Sequence, residues 1–324
     1  MSRLLITGGG GFIGSHLCEL CVQQGFDVIV LDSYNPNNHW GCLEDSEYKN
    51  DLDVILGDIR DYDSVSKAMK GCSAVFHLAA LIGIPYSYVS PLAYIRTNVE
   101  GTYNVLETAK NLGLEQVLIT STSETYGTAQ YVPINEEHPL VGQSPYSASK
   151  IAADQLALSY HRSFDLPLKI VRPFNTYGPR QSARAVIPTI VTQSLTGNGK
   201  IKLGNLSPTR DLTYVKDTCQ GFLEIYKSDS LFGEVTNIGM NSEISIGDLA
   251  NQIVNLMDLD ISIVEDKKRI RPENSEVERL LCNNKKLLKK TNWKPTYDLK
   301  SGLEETVTWI KNSLHLFKSE LYHV

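Results

Sequence analysis

The first half of the chain alternates short apolar runs with amphipathic segments. The runs that predict strands lie at 4–6, 28–31, 54–56, 74–76 and 117–119. Between the first two runs, residues 12–24 have apolar positions at helical spacing. Continuous apolar strands separated by helices are typical of a parallel sheet covered on both faces. Because crossovers are right-handed, this pattern predicts an α/β fold with a doubly wound, Rossmann-type sheet.

The pattern loosens after Pro173. Before it, Ser144 and Pro145 suit the N-cap and first turn of a helix that runs to about residue 164, and 168–171 predicts a sixth strand. After it, glycines and prolines become frequent. We therefore expect a Rossmann domain over 1–174 and a smaller, irregular α/β lobe over 175–324. Elements near 211–240 could return to the main sheet.

Composition and charge narrow the classes of protein. The 324 residues are 42% hydrophobic and 21% charged, which is ordinary for a globular protein. The 31 Lys and Arg against 37 Asp and Glu leave no basic excess for nucleic acid. No apolar run approaches the length of a membrane span, and the N-terminus has no signal-peptide pattern. The six scattered cysteines suit a reducing, cytoplasmic setting, and neither they nor the seven histidines predict a metal site.

A glycine-rich turn lies between the first strand and the first helix. It matches GxxGxxG from Gly8 and GxGxxG from Gly9. Such a turn lets backbone N–H groups approach a pyrophosphate at a helix N-terminus. Asp32 ends the second strand, where a carboxylate binds ribose hydroxyls and favours NAD over NADP. The candidate cofactor-binding residues are Gly8, Gly11, Phe12, Ile13, Gly14, Asp32, Asp58, Ile59, Leu78, Ala79, Ala80, Tyr146 and Lys150.

A second pattern carries acid–base chemistry. Tyr146 and Lys150 are four residues apart and share one face of a predicted helix. The Lys150 ammonium and the helix N-terminus should lower the pKa of the Tyr146 phenol, which could then remove a hydroxyl proton. Residues 121–127 follow the fifth strand at the ligand-facing edge of the sheet, and Glu124 there is a candidate base. The candidate catalytic residues are Thr122, Ser123, Glu124, Tyr146 and Lys150.

These residues resemble the extended short-chain dehydrogenase/reductase family that acts on nucleotide sugars. The resemblance covers nearly the whole chain. It rests on TGGGGFIGSHL at 7–17, GDIRD at 57–61, HLAA at 77–80, TSTSETYG at 120–127, SPYSASK at 144–150, RPFNTYGPR at 172–180 and RDLTYVKD at 210–217. Thr-Ser-Glu before Tyr-Gly looks like the sugar 4,6-dehydratases, notably the GDP-mannose type. The stretches 81–88, 142–150 and 178–188 look most like the dehydratases of legionaminic-acid-type pathways, which act on a nucleotide-linked N-acetylglucosamine.

The resemblance implies NAD binding by 1–174 and nucleotide-sugar binding mainly by 175–324. Asn175 matches a residue that contacts phosphate or sugar, and Tyr86 is a candidate for the sugar pocket. Arg184 and Val186 match the family's nucleotide-contacting loop. The implied diphosphate-binding arginines are Arg210 and Arg271. The family further implies a homodimer packed through helices near 100–112 and 146–163.

The implied reaction is dehydration of a UDP- or GDP-linked sugar to its 4-keto-6-deoxy form. Tyr146 takes the 4-hydroxyl proton with help from Thr122, and hydride passes from C4 to NAD. Glu124 then removes the C5 proton, the C6 hydroxyl leaves as water, and hydride returns to C6. The dTDP-glucose dehydratases carry Asp-Glu where this chain has Ser123-Glu124. Either Ser123 relays a proton to the leaving oxygen, or Glu124 serves both roles.

Three other functions stay open on the sequence alone. The same oxidation could lead to decarboxylation of a nucleotide-linked glucuronate, because those enzymes also carry the glutamate. A 4-epimerase is a weaker alternative, since simple epimerases usually lack it. A catalytically silent NAD-binding scaffold is the non-enzymatic alternative. The sequence does not decide between UDP and GDP.

Overall fold

The computed structural model describes residues 2–33, 37–197 and 199–317. The strands are Arg3–Thr7 (β1), Asp27–Ser33 (β2), Leu52–Gly57 (β3), Ala74–His77 (β4), Gln116–Thr120 (β5), Leu168–Pro173 (β6), Asn175–Tyr177 (β7), Lys200–Leu203 (β8), Thr209–Tyr214 (β9), Val235–Ile238 (β10), Glu243–Ser245 (β11), Ser262–Glu265 (β12) and Arg279–Leu280 (β13). The helices are Phe12–Gln23 (α1), Tyr62–Met69 (α2), Ile84–Val89 (α3), Pro91–Tyr94 (α4), Gly101–Leu112 (α5), Pro145–Phe164 (α6), Val186–Thr196 (α7), Val215–Lys227 (α8), Ile246–Leu256 (α9), Lys285–Lys290 (α10) and Leu299–Asn312 (α11).

Seven strands form one sheet in the order β10-β6-β5-β4-β1-β2-β3. Every neighbouring pair in it is parallel. Successive side chains of β1 enter different clusters of the core, Leu4 and Ile6 in one and Leu5 in the other. Both faces of the sheet are therefore covered, which confirms the predicted α/β fold with a Rossmann-type sheet.

The second half of the chain contributes to two places. Strand β10 pairs with β6 and so extends the main sheet. The rest builds small sheets: β9 pairs with β7, β11 and β13, and β8 pairs with β12. The described ranges contain no helix long and apolar enough to cross a membrane.

Helix α6 carries two of the candidate catalytic residues and begins at a well-formed cap. The Ser144 hydroxyl accepts the Ser147 amide while the Ser147 hydroxyl accepts the Ser144 amide, a reciprocal capping box. Pro145 occupies the first turn, where its missing N–H leaves no helical hydrogen bond unmade. The cap therefore fixes the first turn of α6, which carries Tyr146.

Candidate functional site

The glycine turn after β1 forms a tight backbone cradle. Gly8 has φ +73° and donates its amide to the Leu31 carbonyl at 2.8 Å. A Cβ on Gly8 would lie 2.7 Å from the Ala79 amide nitrogen, and one on Gly14 would lie 2.1 Å from the Gly8 carbonyl oxygen. Gly11 caps α1 with extended backbone. Gly8 and Gly14 have room only for glycine, and the space they leave lies at a helix N-terminus suited to a pyrophosphate.

Phe12 and Ile13 form the first turn of α1, directly after this cradle. Asp32 lies beside it at the end of β2. One carboxylate oxygen accepts the Gly10 amide and the other the Ser33 amide, each at 2.6 Å. Asp32 also lines a shallow cavity with Ser33, His39, Trp40 and Gly41. The carboxylate is therefore held rigidly at the edge of a cavity, as ribose recognition requires.

The other cofactor candidates follow β3 and β4. Asp58 pairs with the exposed Arg60 at 2.5 Å, and that hydrogen bond lowers the pKa of the Asp58 carboxyl. Ile59 is buried, and its carbonyl accepts the Asn104 side-chain amide at 2.9 Å. The amides of Leu78 and Ala79 donate to the Thr7 carbonyl and hydroxyl oxygens, and Ala80 follows them half-buried. The two segments lie on either side of the β1 cradle in the sheet order.

His77 connects three elements of this region, although the sequence pattern predicts no role for it. Its Nδ1 lies 2.7 Å from the Thr7 hydroxyl and its Nε2 lies 3.1 Å from the Thr102 hydroxyl. Burial, helped by the positive charge of Lys150, lowers the pKa of His77 to about 3. His77 is thus a neutral hydrogen-bonding link between β1, β4 and α5. Its two flanking hydroxyls, which are distant in sequence, could not be read as its partners from the chain alone.

Tyr146 is buried, and its phenol is hydrogen-bonded to Thr122. Burial raises the pKa of Tyr146 strongly; the Thr122 hydrogen bond opposes this shift, and the Glu124 charge adds to it. The expected lowering of this pKa is therefore wrong for the structure. The reason is geometric, because the Lys150 ammonium donates to the Thr120 carbonyl at 2.6 Å and burial lowers the pKa of Lys150 in turn.

Glu124 lies in a single 3₁₀ turn, Ser123–Tyr126, directly after β5. The Thr122 hydroxyl caps this turn by accepting the Glu124 amide at 3.3 Å. Glu124 is half-buried, whereas Ser123 is buried. The negative charge of Glu124 adds to the raised pKa of Tyr146 and opposes the burial that lowers the pKa of Arg210. Thr122 thus connects Glu124, whose turn it caps, with the Tyr146 phenol in the segment after β5.

Two of the candidate substrate-binding arginines share one anion. The guanidinium groups of Arg210 and Arg271 lie 3.5 and 3.4 Å from the same oxygen of Glu276. Arg210 is buried, which lowers its pKa, and the negative charge of Glu124 opposes that shift. Two cations converging on one carboxylate oxygen form a local anion site that fits a diphosphate. Glu276 was missed because its partnership with both arginines depends on how the second lobe folds.

The remaining substrate candidates are more dispersed. Asn175 has a buried Oδ1 without a hydrogen-bond partner among the described residues, which fits a role in binding a ligand donor. Tyr86 is 38% exposed, and its ring lies 6.2 Å from that of Tyr94, which in turn lies 6.2 Å from the ring of Tyr146. Val186 begins α7 and is half-buried. Arg184 is exposed, and its Nη1 lies near Gly83 in the loop before α3.

Comparison with known proteins agrees with this geometry. The family model described as GDP-mannose 4,6 dehydratase matches residues 5–306. A putative UDP-glucose 4-epimerase from Methanocaldococcus jannaschii is 32% identical over 96% of this chain and 99% of its own. A UDP-N-acetyl-alpha-D-glucosaminuronate decarboxylase from Bacillus cytotoxicus is 31% identical over 95% of this chain and 98% of its own. The chain belongs to the GDP-mannose 4,6-dehydratase family of extended short-chain dehydrogenases/reductases.

A solved structure extends the comparison to ligands. DesIV, the dTDP-glucose 4,6-dehydratase of Streptomyces venezuelae, superposes with a TM-score of 0.88 at 30% identity. The match covers 98% of this chain and 99% of that chain, and DesIV was solved with NAD and TYD bound. These matches confirm the predicted family. They also confirm that the chain is an enzyme of the group that contains nucleotide-sugar dehydratases, epimerases and decarboxylases. The predicted NAD dependence is confirmed as a property of the family, and the glycine cradle and Asp32 fit that cofactor.

Proposed function

We propose that this chain catalyses the 4,6-dehydration of a UDP- or GDP-linked N-acetylglucosamine. The observation that carries the proposal is that Thr122 connects the two groups, because it hydrogen-bonds to the Tyr146 phenol and caps the turn that carries Glu124. Two groups that can accept protons at neighbouring positions are what oxidation at C4 and elimination across C5 and C6 need. A 4-epimerase would leave Glu124 without a catalytic role.

The residues divide the chemistry between them. NAD, held by the glycine cradle and Asp32, would supply a hydride acceptor and donor. Tyr146 takes the proton of the sugar 4-hydroxyl, and Thr122 hydrogen-bonds to the phenol. Lys150 lies one turn further along α6, where its buried ammonium donates to the Thr120 carbonyl and so joins this helix to the end of β5. The first proton transfer therefore uses Tyr146 on α6 and Thr122 in the segment after β5.

The elimination belongs to Glu124. Its carboxylate takes the C5 proton made acidic by the 4-ketone, and the C6 hydroxyl then departs as water with a proton from the same carboxyl group. We assign both transfers to Glu124 because Ser123 is buried and Glu124 is half-exposed. Glu124 therefore ends the elimination in its starting ionisation state. The product still needs a hydride at C6, which reduced NAD would supply, and a proton at C5, which balances the one that Tyr146 took from the 4-hydroxyl.

The second lobe is proposed to bind the nucleotide and the sugar. Arg210 and Arg271 would exchange their shared carboxylate partner for the diphosphate. Asn175 and Tyr86 are proposed to contact the sugar or phosphate, and Arg184 and Val186 the nucleotide. We keep 1–174 as the cofactor domain and 175–324 as the main substrate lobe in this assignment.

A cytoplasmic homodimer fits the surface and the cysteines. Exposed apolar side chains on α5 and at the end of α6, namely Tyr103, Leu112 and Phe164, support packing between copies through these helices. All six cysteines are free thiols, which supports a reducing compartment. Sedimentation analysis of the purified protein tests the dimer.

The substrate is tested by product mass on a panel of UDP- and GDP-sugars. Loss of one water from the N-acetylglucosamine members supports the proposal. Loss of carbon dioxide from a nucleotide-linked glucuronate or N-acetylglucosaminuronate, without water loss elsewhere, replaces it with decarboxylation. Conversion without a mass change indicates epimerisation.

A further inference from the structure

A buried ion pair lies directly beneath the catalytic turn. Arg172 donates to Asp154 at 2.7 Å, and these two side chains are 2% and 0% exposed. The Ser121 hydroxyl donates to the same Asp154 oxygen at 2.5 Å, and Arg172 Nε donates to Ser121 Oγ at 3.1 Å. The three side chains, which we call the Ser121 triad, form a closed hydrogen-bonded ring in the core. Buried charges persist in a core when they are paired in this way.

The triad touches both ends of the turn that carries Glu124. Ser121 immediately precedes Thr122, whose hydroxyl caps the turn. At the other end, the Arg172 guanidinium lies 4.6 Å from the ring centroid of Tyr126, the last residue of the turn. Tyr126 is fully buried and donates its hydroxyl to Asn237 at 2.8 Å. The Glu124 backbone is therefore held from both sides by one buried ion pair.

The same ion pair is tied to the phenol. Tyr146, Lys150 and Asp154 are spaced by four residues and share one face of α6. Lys150 donates to the carbonyl of Thr120, the residue before Ser121. Asp154 and Lys150 thus attach neighbouring residues at the end of β5 to the helix that carries Tyr146. The separation between phenol and carboxylate is set through these attachments.

We propose that Asp154 and Arg172 are positioning residues, which hold the Glu124 turn at its working distance from Tyr146. This inference rests on the proposed function for its catalytic consequence. Tyr146 sits in a twenty-residue helix with its own capping box, whereas Glu124 sits in a single 3₁₀ turn of four residues. Losing the pair should therefore displace Glu124 more than Tyr146. Oxidation should survive while water loss slows.

The test is Asp154→Asn in the NAD-loaded enzyme, with two readouts. In single turnover with the nucleotide sugar that the wild-type enzyme dehydrates, we expect water loss slowed by about tenfold to a hundredfold, the scale of a misplaced catalytic group. The absorbance of reduced nicotinamide should build up in the variant and not in the wild type. Independently of substrate, amide hydrogen exchange should rise at residues 121–127.

Asp217→Asn is the matched control, because Asp217 is another buried carboxylate and accepts bonds from Thr296 and Tyr297. It should lower stability without build-up of reduced nicotinamide and without raised exchange at 121–127. If Asp154→Asn does not fold, Ser121→Ala gives a smaller effect of the same kind, and Ser121→Thr, which keeps the hydroxyl, restores wild-type behaviour.

The outcomes separate the two proposals. The positioning role is overturned if Asp154→Asn or Ser121→Ala divides between oxidation and water loss as the wild-type enzyme does. It is also overturned if amide exchange at 121–127 is no higher in Asp154→Asn than in Asp217→Asn. If the wild-type enzyme removes water from no member of the substrate panel, the proposed function fails. The exchange comparison then decides on its own whether the triad holds the turn, since it needs no substrate.

Discussion

The candidate cofactor site and the proposed substrate site are built in different ways. The first is made of backbone: glycines at Gly8 and Gly14 leave no space for a Cβ, and Asp32 is fixed by main-chain amides. The second is made of long side chains from separate segments, with Arg210 and Arg271 meeting on Glu276. A single substitution in the first site should therefore abolish NAD retention, whereas one in the second should weaken nucleotide-sugar binding only in part.

The largest effect should come from filling the cradle. Gly14→Ala places a Cβ about 2.1 Å from the Gly8 carbonyl oxygen, so the turn must open and NAD retention should be lost. Gly247→Ala is the control, because its Cβ would meet its nearest neighbours at 3.5 Å. The measurement is the amount of NAD that co-purifies with each variant. Normal retention by Gly14→Ala would contradict a backbone-built site.

A smaller effect is expected in the substrate lobe. Arg210→Met removes one of the two cations on Glu276, and we expect the KM for the nucleotide sugar to rise about tenfold to a hundredfold, the strength of charged hydrogen bonds. NAD retention should not change. Arg279→Met is the control, since Arg279 pairs with Glu243 at a more exposed position. An unchanged KM in Arg210→Met would remove Arg210 from the anion site.

The smallest effect concerns acid stability. Burial lowers the pKa of His77 from 6.5 to about 3, so the folded protein keeps this histidine neutral while the unfolded chain protonates it. Its contribution to stability is therefore present above pH 6.5 and is lost as the pH falls below that value. His77→Asn should reduce the slope of unfolding free energy against pH by about 1.4 kcal/mol per pH unit between about pH 6 and pH 4. Denaturant unfolding at several pH values measures the slope, and an unchanged slope would contradict a neutral His77.

The predictable part of the molecule is the part specified locally. Apolar runs and the helix cap at Ser144 are short-range signals, and they gave the parallel sheet and the bounds of α6. The glycine cradle is also local, because its residues are consecutive. In contrast, β9 pairs with β7, β11 and β13 from distant segments, and no local pattern sets those registers.

The electrostatics of the site were the least predictable feature. From spacing alone, Lys150 should lower the pKa of Tyr146, but burial dominates and Lys150 is bound to the Thr120 carbonyl. Asp154 and Arg172 are separated by 18 residues and give no motif, yet they form the buried ion pair next to the Ser123–Tyr126 turn. Burial and partner choice follow from the assembled core, which the order of residues does not reveal locally.

The central claim is that Glu124 acts after oxidation, as the group that removes the C5 proton. Single-turnover reaction of Glu124→Gln with the nucleotide sugar, followed by nicotinamide absorbance and product mass, tests it directly. Glu137→Gln, at an exposed loop position, is the control. The account predicts that Glu124→Gln reduces nicotinamide but releases no dehydrated product, while the control turns over normally. Dehydration by Glu124→Gln at the wild-type rate would contradict it.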